Sequence, residues 1–493
     1  MLESILQNYI KDEADKLIKR YHKYHNRVHL TNERKLIKKD KIIKTPDYWK
    51  IDKKFNPFYV RRKYKSIAKS IALKISNGTY QPAKPYIKKI PKSDEKKRII
   101  SIYNIPDSSV SKYFYSRLLE KNKHRFSSFS YAYRNDRNVH FAIQDISIDL
   151  SNYSRCFVAE FDFSDFFGSI SHDFLKEECN KNGFFISSEE YFIIDCFLKS
   201  QKNVGIPQGT SISLFLANLC CWSLDRALED EGVRFARYAD DTIIWSDSYQ
   251  KICNAQKAIY NFSKKSGVNI NNNKSDGISV LSRKGFKSEV ASKKSIDFLG
   301  YSICMENASI KEASVKKIKK QISYILYKEM IQPFKHDIPE KDIYLNAPPL
   351  LKAITQIRRY MYGDLNTSKI KNYLAGRTKK IYFKGVMSFY PLVNNEKQLI
   401  EIDGWLLSTI IKTIKIHLKI LKEQGIYCTH SPNETKRKKE LLMTCKNTTI
   451  YGKRLLEIPS FLLIYKALEK SLIENGIEKT MNPQSIKYEY KNA

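Results

Sequence analysis

The chain has little of what staples or anchors a protein. Its nine cysteines stand singly or, at Cys220 and Cys221, side by side, and no C-x-x-C pair or regular spacing links them. That pattern indicates neither a zinc site nor a disulfide scaffold, and reduced thiols in a cytosol fit it. Cys428, His430 and Cys445 are too loosely spaced for a nuclease zinc site. Long apolar runs are missing too. No window approaches membrane-spanning length, and the start "MLESILQNYIKDEADKLIKRYHKYH" carries acids early, without the basic start and apolar core of a signal peptide. A soluble, cytoplasmic protein with no membrane partner is expected, with no internal repeat and no low-complexity tail.

Negative charge is scarce as well. Acids number 52 against 87 Lys and Arg, a formal +35 spread along the whole length. Together with 32 Tyr and 25 Phe, this favours a polyanion whose bases stack on rings over a membrane surface. An AT-rich genome would also raise the lysine content, but it does not account for the motifs below. At 493 residues the chain exceeds one hydrophobic core, and its 42% apolar content is enough to fill about two to four subdomains.

The texture suggests four segments. Residues 1–75 read as one or two polar helices and an aromatic stretch bracketed by Pro46 and Pro57. From 76 to 305, β-rich runs such as "RCFVAEFDF", "ARYADDTIIW" and "IDFLGYSI" alternate with helical ones such as "SHDFLKEECNKNG" and "SLFLANLCCWSLDRALEDEG". An antiparallel sheet backed by helices, hence an α+β fold, follows. Residues 306–425 read as helical, and 426–493 as a linker around 428–440 and last helices. In "DGWLLSTIIKTIKIHLKIL", Leu407, Ile410, Ile411, Ile414, Leu418 and Leu421 fall on one helical face, while Lys412, Lys415, Lys419 and Lys422 share another. The first is a core stripe; the second is a solvated face or a track for a nucleic-acid backbone.

The adjacent carboxylates of "RYADDTIIWS" repel each other unless a cation is shared, and β alternation would separate them. A tight hairpin turn at Asp240 and Asp241 resolves both problems and offers acids to a metal. The complement is Asp162 in "VAEFDFSDFFGSISH", which ends an apolar strand beside a turn whose amides can face phosphates. Hard divalent ions take oxygen ligands, and two of them serve in-line phosphoryl transfer by clamping the attacking and leaving oxygens.

These motifs carry a resemblance. "YADD", preceded by "EFDFSDFFGSI" and "GIPQGTSISLFLANL" and followed by "INNNKSDG" and "IDFLGYSI", resembles the ordered motif series of reverse transcriptases. With "IPKSDEKKRIISI" and "SSFSYAYRNDRNVHFAI" upstream, it covers roughly residues 85–305, from fingers through palm to primer grip, with the later helices as a thumb. It implies a right-hand polymerase in which Asp162, Asp240 and Asp241 form the metal triad for two magnesium ions, manganese being an alternative. It also implies that Gln208 and Gly209 lie against the incoming nucleotide and that Arg98, with Lys97, clamps its triphosphate. Arg134 would support that region, and Lys274 would protonate the leaving pyrophosphate. Asp165, Phe166 and Phe167 line the sugar end. RNA-dependent RNA polymerases have a second acid where Phe167 stands, and Asp165 lies two residues too early to replace it. The aromatic ring leaves a ribose 2′-hydroxyl no room and no partner, so deoxynucleotides are the expected substrates.

No RNase H, integrase, maturase or H-N-H segment is recognised. Leu214 stands where intron and retron enzymes commonly have Pro, and this, with "PDYW", "FNPFYV", "SYAYR" and "MSFYPLVNNEKQLIEIDGWLL", resembles the bacterial defence-associated reverse transcriptases. That membership implies phage defence through cDNA made on an associated noncoding RNA, or untemplated DNA, sometimes primed on a protein hydroxyl such as Tyr488 or Tyr490, with homo-oligomers among relatives. A retron or intron-type enzyme and an RNA-binding scaffold with a dead polymerase fold are the alternatives.

Overall fold

The computed structural model describes residues 1–33, 41–91, 97–201, 203–272, 275, 277–283, 285, 292–335, 349–423, 442, 445, 449–450, 453–454 and 457–481. It divides into two compact units, one made of Met1–Arg34, Lys41–Ala142 and Arg155–Lys293, the other of Lys35–Asp40, Ile143–Ser154 and Lys294–Ala493. The N-terminal segment therefore shares a unit with the sheet that follows it, and the "IDFLGYSI" hairpin belongs to the other unit. No described helix is long and apolar enough to cross a membrane. None of the eight described cysteines is in a disulfide.

In the first unit, α1 (Leu2–Glu33) is one long helix whose fully buried Leu6, Ile10 and Ala14 recur every four residues and enter the core. Short 3-10 turns follow, and α2 (Pro57–Ser76) starts where the Asn56 side chain accepts from the amides of Phe58 and Tyr59 and Pro57 sits in the first turn. Strands β1 (Tyr86–Pro91) and β2 (Lys97–Ile102) pair antiparallel. Helix α3 (Ile105–Asn122) and helix α4 (Val139–Ser151), whose residues from Ile143 on belong to the other unit, lead to β3 (Arg155–Phe161), β4 (Phe163–Ser164) and the short α5 (Phe166–Ser169).

Helices α6 (His172–Lys181), α7 (Ser188–Leu198), α8 (Ile212–Cys220) and α9 (Trp222–Asp230) precede the hairpin of β5 (Arg234–Tyr238) and β6 (Asp241–Ser246). The run expected as one helix is thus two, parted at Cys221. Helix α10 (Tyr249–Ser266), β7 (Asn269–Ile270), β8 (Ser279–Ser282) and β9 (Ser292–Lys293) complete the unit. The five-stranded sheet runs β5-β6-β3-β8-β9, with β3 in the middle. Its apolar residues, with those of α8, build the main core.

In the second unit, β10 (Ile296–Phe298), β11 (Tyr301–Ile303) and β12 (Ala308–Ile310) form a meander, followed by α11 (Glu312–Leu326). Leu299 and Gly300 turn the first hairpin with φ of +49° and +87°. Beyond it run helices Pro349–Tyr362, Thr367–Leu374, Glu396–Glu423 and Phe461–Thr480. The Asp403 carboxylate accepts from Ser460 Oγ at 2.6 Å and from the amides of Phe461 and Leu462, capping the last of these helices. Helix Glu396–Glu423 buries Leu406, Ile410, Thr413, Ile414, His417 and Leu421. The face is rotated from the expected one: Leu407, Ile411 and Leu418 are only half-buried, because His417 turns inward to bond the Met330 carbonyl at 2.7 Å. The four lysines of the basic stripe are exposed. The expected α+β class is the one found.

Candidate active site

The site is built on strand ends. Strands β3 and β6 pair antiparallel with Phe161 opposite Thr242, and β5 and β6 pair with Tyr238 opposite Asp241. Asp162 follows directly on the last paired residue of β3, at the strand end that lies opposite the start of β6. Only Ala239 and Asp240 remain for the turn. Asp162 is buried, Asp240 half-buried and Asp241 exposed. Asp162 is also fixed locally: its Oδ2 accepts from Asn271 Nδ2 at 2.8 Å, and its carbonyl accepts from the Asn271 amide. The short β4–β7 ladder, with Phe163 opposite Ile270, continues this anchorage.

Among the described residues, no three His, Cys, Asp or Glu side chains stand in a metal-ligating arrangement. The strand register brings the end of β3 level with the start of β6, without a finished ligand cage. The all-oxygen donor set of the three aspartates is the chemistry a hard divalent cation requires.

The hairpin tip is strained. Ala239 has φ +65°, a left-handed conformation that costs a residue with a Cβ roughly 1 kcal/mol or more and persists only where the surroundings hold it. Its carbonyl accepts a hydrogen bond from the buried Arg237, a residue that sequence reasoning passed over.

At the sugar end, Phe166 and Phe167 part company. Phe166 is core, its ring stacked on Phe163 with centroids 5.9 Å apart. Phe167 is half-buried, and its ring meets that of Tyr133 edge-on at 6.3 Å. Tyr133 has φ +58°, and the Tyr115 hydroxyl donates to its carbonyl at 3.0 Å. Burial pushes the Tyr115 phenol up to about 12, so it remains a donor at any ordinary pH. Asp165 is exposed, also left-handed with φ +48°, and opens α5.

The "GIPQG" loop joins this wall to β2. The Ile206 amide donates to the Phe167 carbonyl at 2.7 Å, and the Ser101 amide donates to the Gln208 carbonyl at 2.7 Å. Gly209, with φ +122°, is needed for contact within the protein: a Cβ there would lie 2.6 Å from the Ser101 carbonyl oxygen. Strand alternation separates the two finger cations. Arg98 shares a face with Ile100, whose side chain borders Gly209, while Lys97 shares the opposite face with the exposed Ile99.

Arg134 is differently engaged. Its guanidinium donates to both Asp136 carboxylate oxygens, to the Ser127 carbonyl at 2.6 Å and to the Lys123 carbonyl at 3.2 Å. Burial works against the Asp136 charge, yet Arg134 holds that carboxyl below its ordinary range. Arg134 thus folds its own loop, and the ring of Tyr133 beside it is what reaches the Phe167 wall. Lys274, Tyr488 and Tyr490 lie outside the described residues, as do Cys428 and His430.

Residues 90–303 match the family model described as reverse transcriptase (RNA-dependent DNA polymerase). Protein YkfC of Escherichia coli (strain K12) is 26% identical over 188 residues, which are 36% of this chain and 48% of that protein. The chain thus spans about half the length of this relative. Among solved structures, apo telomerase from Candida tropicalis is 12% identical over 74% of this chain and 72% of that one, with a TM-score of 0.39. Telomerase from Candida albicans with a fragment of telomeric RNA is 12% identical over 76% and 68%, with a TM-score of 0.35.

Proposed function

We propose that this chain, which carries a reverse transcriptase domain over residues 90–303, is an RNA-directed DNA polymerase that extends a primer with deoxynucleotides. The observation that carries the reading is the register of the central sheet, in which Phe161 opposite Thr242 and Tyr238 opposite Asp241 align the end of β3 with the β5–β6 tip. Asp162 and Asp240 are the residues to hold a pair of magnesium ions, or manganese, with Asp241 less direct. Such ions, when bound, neutralise charge on the transferring phosphate and activate the primer hydroxyl.

The chain's own residues orient the nucleotide. The Phe167 ring, backed by Tyr133, closes the space a 2′-hydroxyl needs and offers it no hydrogen-bond partner. The Gln208–Gly209 turn, tied to Phe167 on one side and Ser101 on the other, forms a fixed floor. Arg98, on the strand face turned to that loop, meets the triphosphate as a planar donor fork. Lys274 donates the proton to the leaving pyrophosphate.

The test is primer extension by the purified protein on an RNA template, with deoxy- and ribonucleotides in parallel. Deoxynucleotide incorporation that disappears in Asp162→Asn is expected, and Phe167→Ala should weaken the deoxy preference by about 10- to 100-fold. A wild-type protein that extends no primer on RNA with either metal overturns the reading.

The finer assignment is bacterial antiphage defence, with an associated noncoding RNA as template and cDNA as product. Its support is the sequence: the Leu214 variant, the aromatic "PDYW" and "FNPFYV" runs and the +35 charge suited to a polyanion. Sequencing the nucleic acid that copurifies should return one structured RNA and its complement. A random sample of cellular RNA would remove this assignment.

A further inference from the structure

Three residues before Asp240, a fully buried arginine occupies the sheet. Arg237 is 0% exposed, and so is its partner Asp225 on α9. The pairing is a bidentate fork: Nε donates to Oδ1 and Nη2 to Oδ2, both at 2.6 Å. The remaining donors are also taken. Nη2 bonds Ser130 Oγ at 2.7 Å, and Nη1 bonds Asn218 Oδ1 at 3.4 Å and the Ala239 carbonyl at 3.1 Å. Burial disfavours the guanidinium charge, but Asp225 outweighs it and holds the pKa above its ordinary value.

The same residue reaches the nucleotide wall through its backbone. The Arg237 amide donates to the Phe129 carbonyl at 2.9 Å, and its carbonyl accepts from the Tyr131 amide at 3.0 Å. Asn218 closes the circuit by donating to the Ala132 carbonyl at 2.9 Å. The segment leading to Tyr133 is therefore bonded to the strand that leads to Asp240. A buried ion pair is a poor choice for stability alone, since well-packed apolar residues of similar volume do as well or better. Its distinctive product is geometry: a planar fork fixes directions that a methylene chain leaves loose.

We propose that Arg237 is a positioning residue for the metal-ligand hairpin, holding the Ala239 carbonyl so that Asp240 and Asp241 present their carboxylates to divalent cations in register with the Tyr133–Phe167 wall. The inference rests on the polymerase reading. It predicts that the fork can be removed from a protein that still folds, and that cation affinity then falls.

The test measures Mn2+ binding to the full-length chain without nucleotide, by electron paramagnetic resonance, beside thermal unfolding and the Mg2+ dependence of primer extension. The double variant Arg237→Met with Asp225→Leu replaces the pair by apolar volume. It should unfold at or above the wild-type temperature yet bind Mn2+ at least about tenfold more weakly, as loss of a pre-set ligand geometry requires. Arg237→Lys, which keeps the charge but not the fork, should show a smaller loss of affinity in a folded protein, and it carries the test if the double variant does not fold. A folded variant with wild-type Mn2+ affinity and an unchanged Mg2+ midpoint overturns the proposal and leaves the polymerase reading standing. A wild-type protein that binds no Mn2+ overturns both.

Discussion

The β5–β6 and β10–β11 hairpins each turn through two residues, and they are held in opposite ways. The β5–β6 turn uses Ala239 and Asp240; the β10–β11 turn uses Leu299 and Gly300. In each, the first turn residue carries a side chain yet has positive φ, +65° at Ala239 and +49° at Leu299. The first is gripped by a hydrogen bond from the buried Arg237 guanidinium to the Ala239 carbonyl. The second is gripped by rings: Tyr390 packs edge-on against Tyr301 at 5.4 Å, a Cβ on Gly300 would touch Tyr390 at 3.4 Å, and the Tyr301 hydroxyl bonds the Phe389 carbonyl. Ring packing fills space and tolerates small shifts, whereas a fork of charged hydrogen bonds specifies direction. The tip that carries two mutually repelling carboxylates has the directional support.

Four measurements can break or sharpen this contrast. The largest effect belongs to Asp240→Asn, which should cut nucleotide incorporation by about a thousandfold or more, the scale of losing metal-borne charge stabilisation. Its melting temperature should stay unchanged or rise, because one of two repelling charges is gone. A parallel loss of stability would mean that the tip carries architecture rather than chemistry.

The second measurement compares one buried histidine from each unit, His140 and His417. His140 is buried with Nδ1 lacking a partner among the described residues, and burial pushes it from 6.5 down to about 4. His417 is also lowered by burial, but its bond to Met330 opposes the shift. Below pH 6.5 the unfolded chain takes up a proton that folded His140 refuses, so its contribution is present above 6.5 and lost as pH falls toward 4. The loss is at most about 3 kcal/mol. Acid titration of stability should flatten in His140→Leu and change less in His417→Leu.

Third, Gly300→Val should destabilise the protein by roughly 2 kcal/mol, because a β-branched residue is forced to positive φ against Tyr390. Mn2+ affinity should not move. Last and smallest, Leu299→Gly and Ala239→Gly each relieve turn strain but loosen the unfolded chain, for a net change within about 1 kcal/mol. Only Ala239→Gly should lower turnover. Equal effects of both on turnover would erase the distinction drawn between the tips.

Much of this site was legible in the sequence, because its strongest signals are local. Asp162 at the end of an apolar strand and a tight turn near Asp240 declare themselves within ten residues, but the turn falls one residue earlier than expected, on Ala239 and Asp240, and Asp241 already opens β6. What stayed hidden depends on which side chains meet once the chain is folded, at separations from 7 residues for Arg134 and Ser127 to 107 for Arg237 and Ser130. "SYAYR" pointed to Arg134, but whether an arginine faces a ligand or its own loop is decided by Ser127 and Lys123. Gly209 was expected against an incoming nucleotide, whereas the contact that requires a glycine there is with Ser101 of the protein itself. Arg237 left one trace, a cation set among apolar residues in "RFARYADD", and only the distant Asp225 explains it. Lys97 and Arg98 looked alike until strand pairing gave them opposite faces.

The outer edge of β12 is closed without a strand. Asn394 pairs with both the amide and the carbonyl of Ala308, and the Gln398 carboxamide does the same for Ile310. Open sheet edges are templates on which other chains add strands, and proteins usually blunt them with charge, proline or a covering helix. Here the Asn394 side-chain oxygen and backbone amide, together with the Gln398 carboxamide, imitate the missing neighbour, so the meander cannot be lengthened by a second molecule unless these groups first let go. Assembly of copies through this edge is thereby closed, and removing both side-chain amides would expose an aggregation seam in a chain otherwise kept apart by its own positive charge.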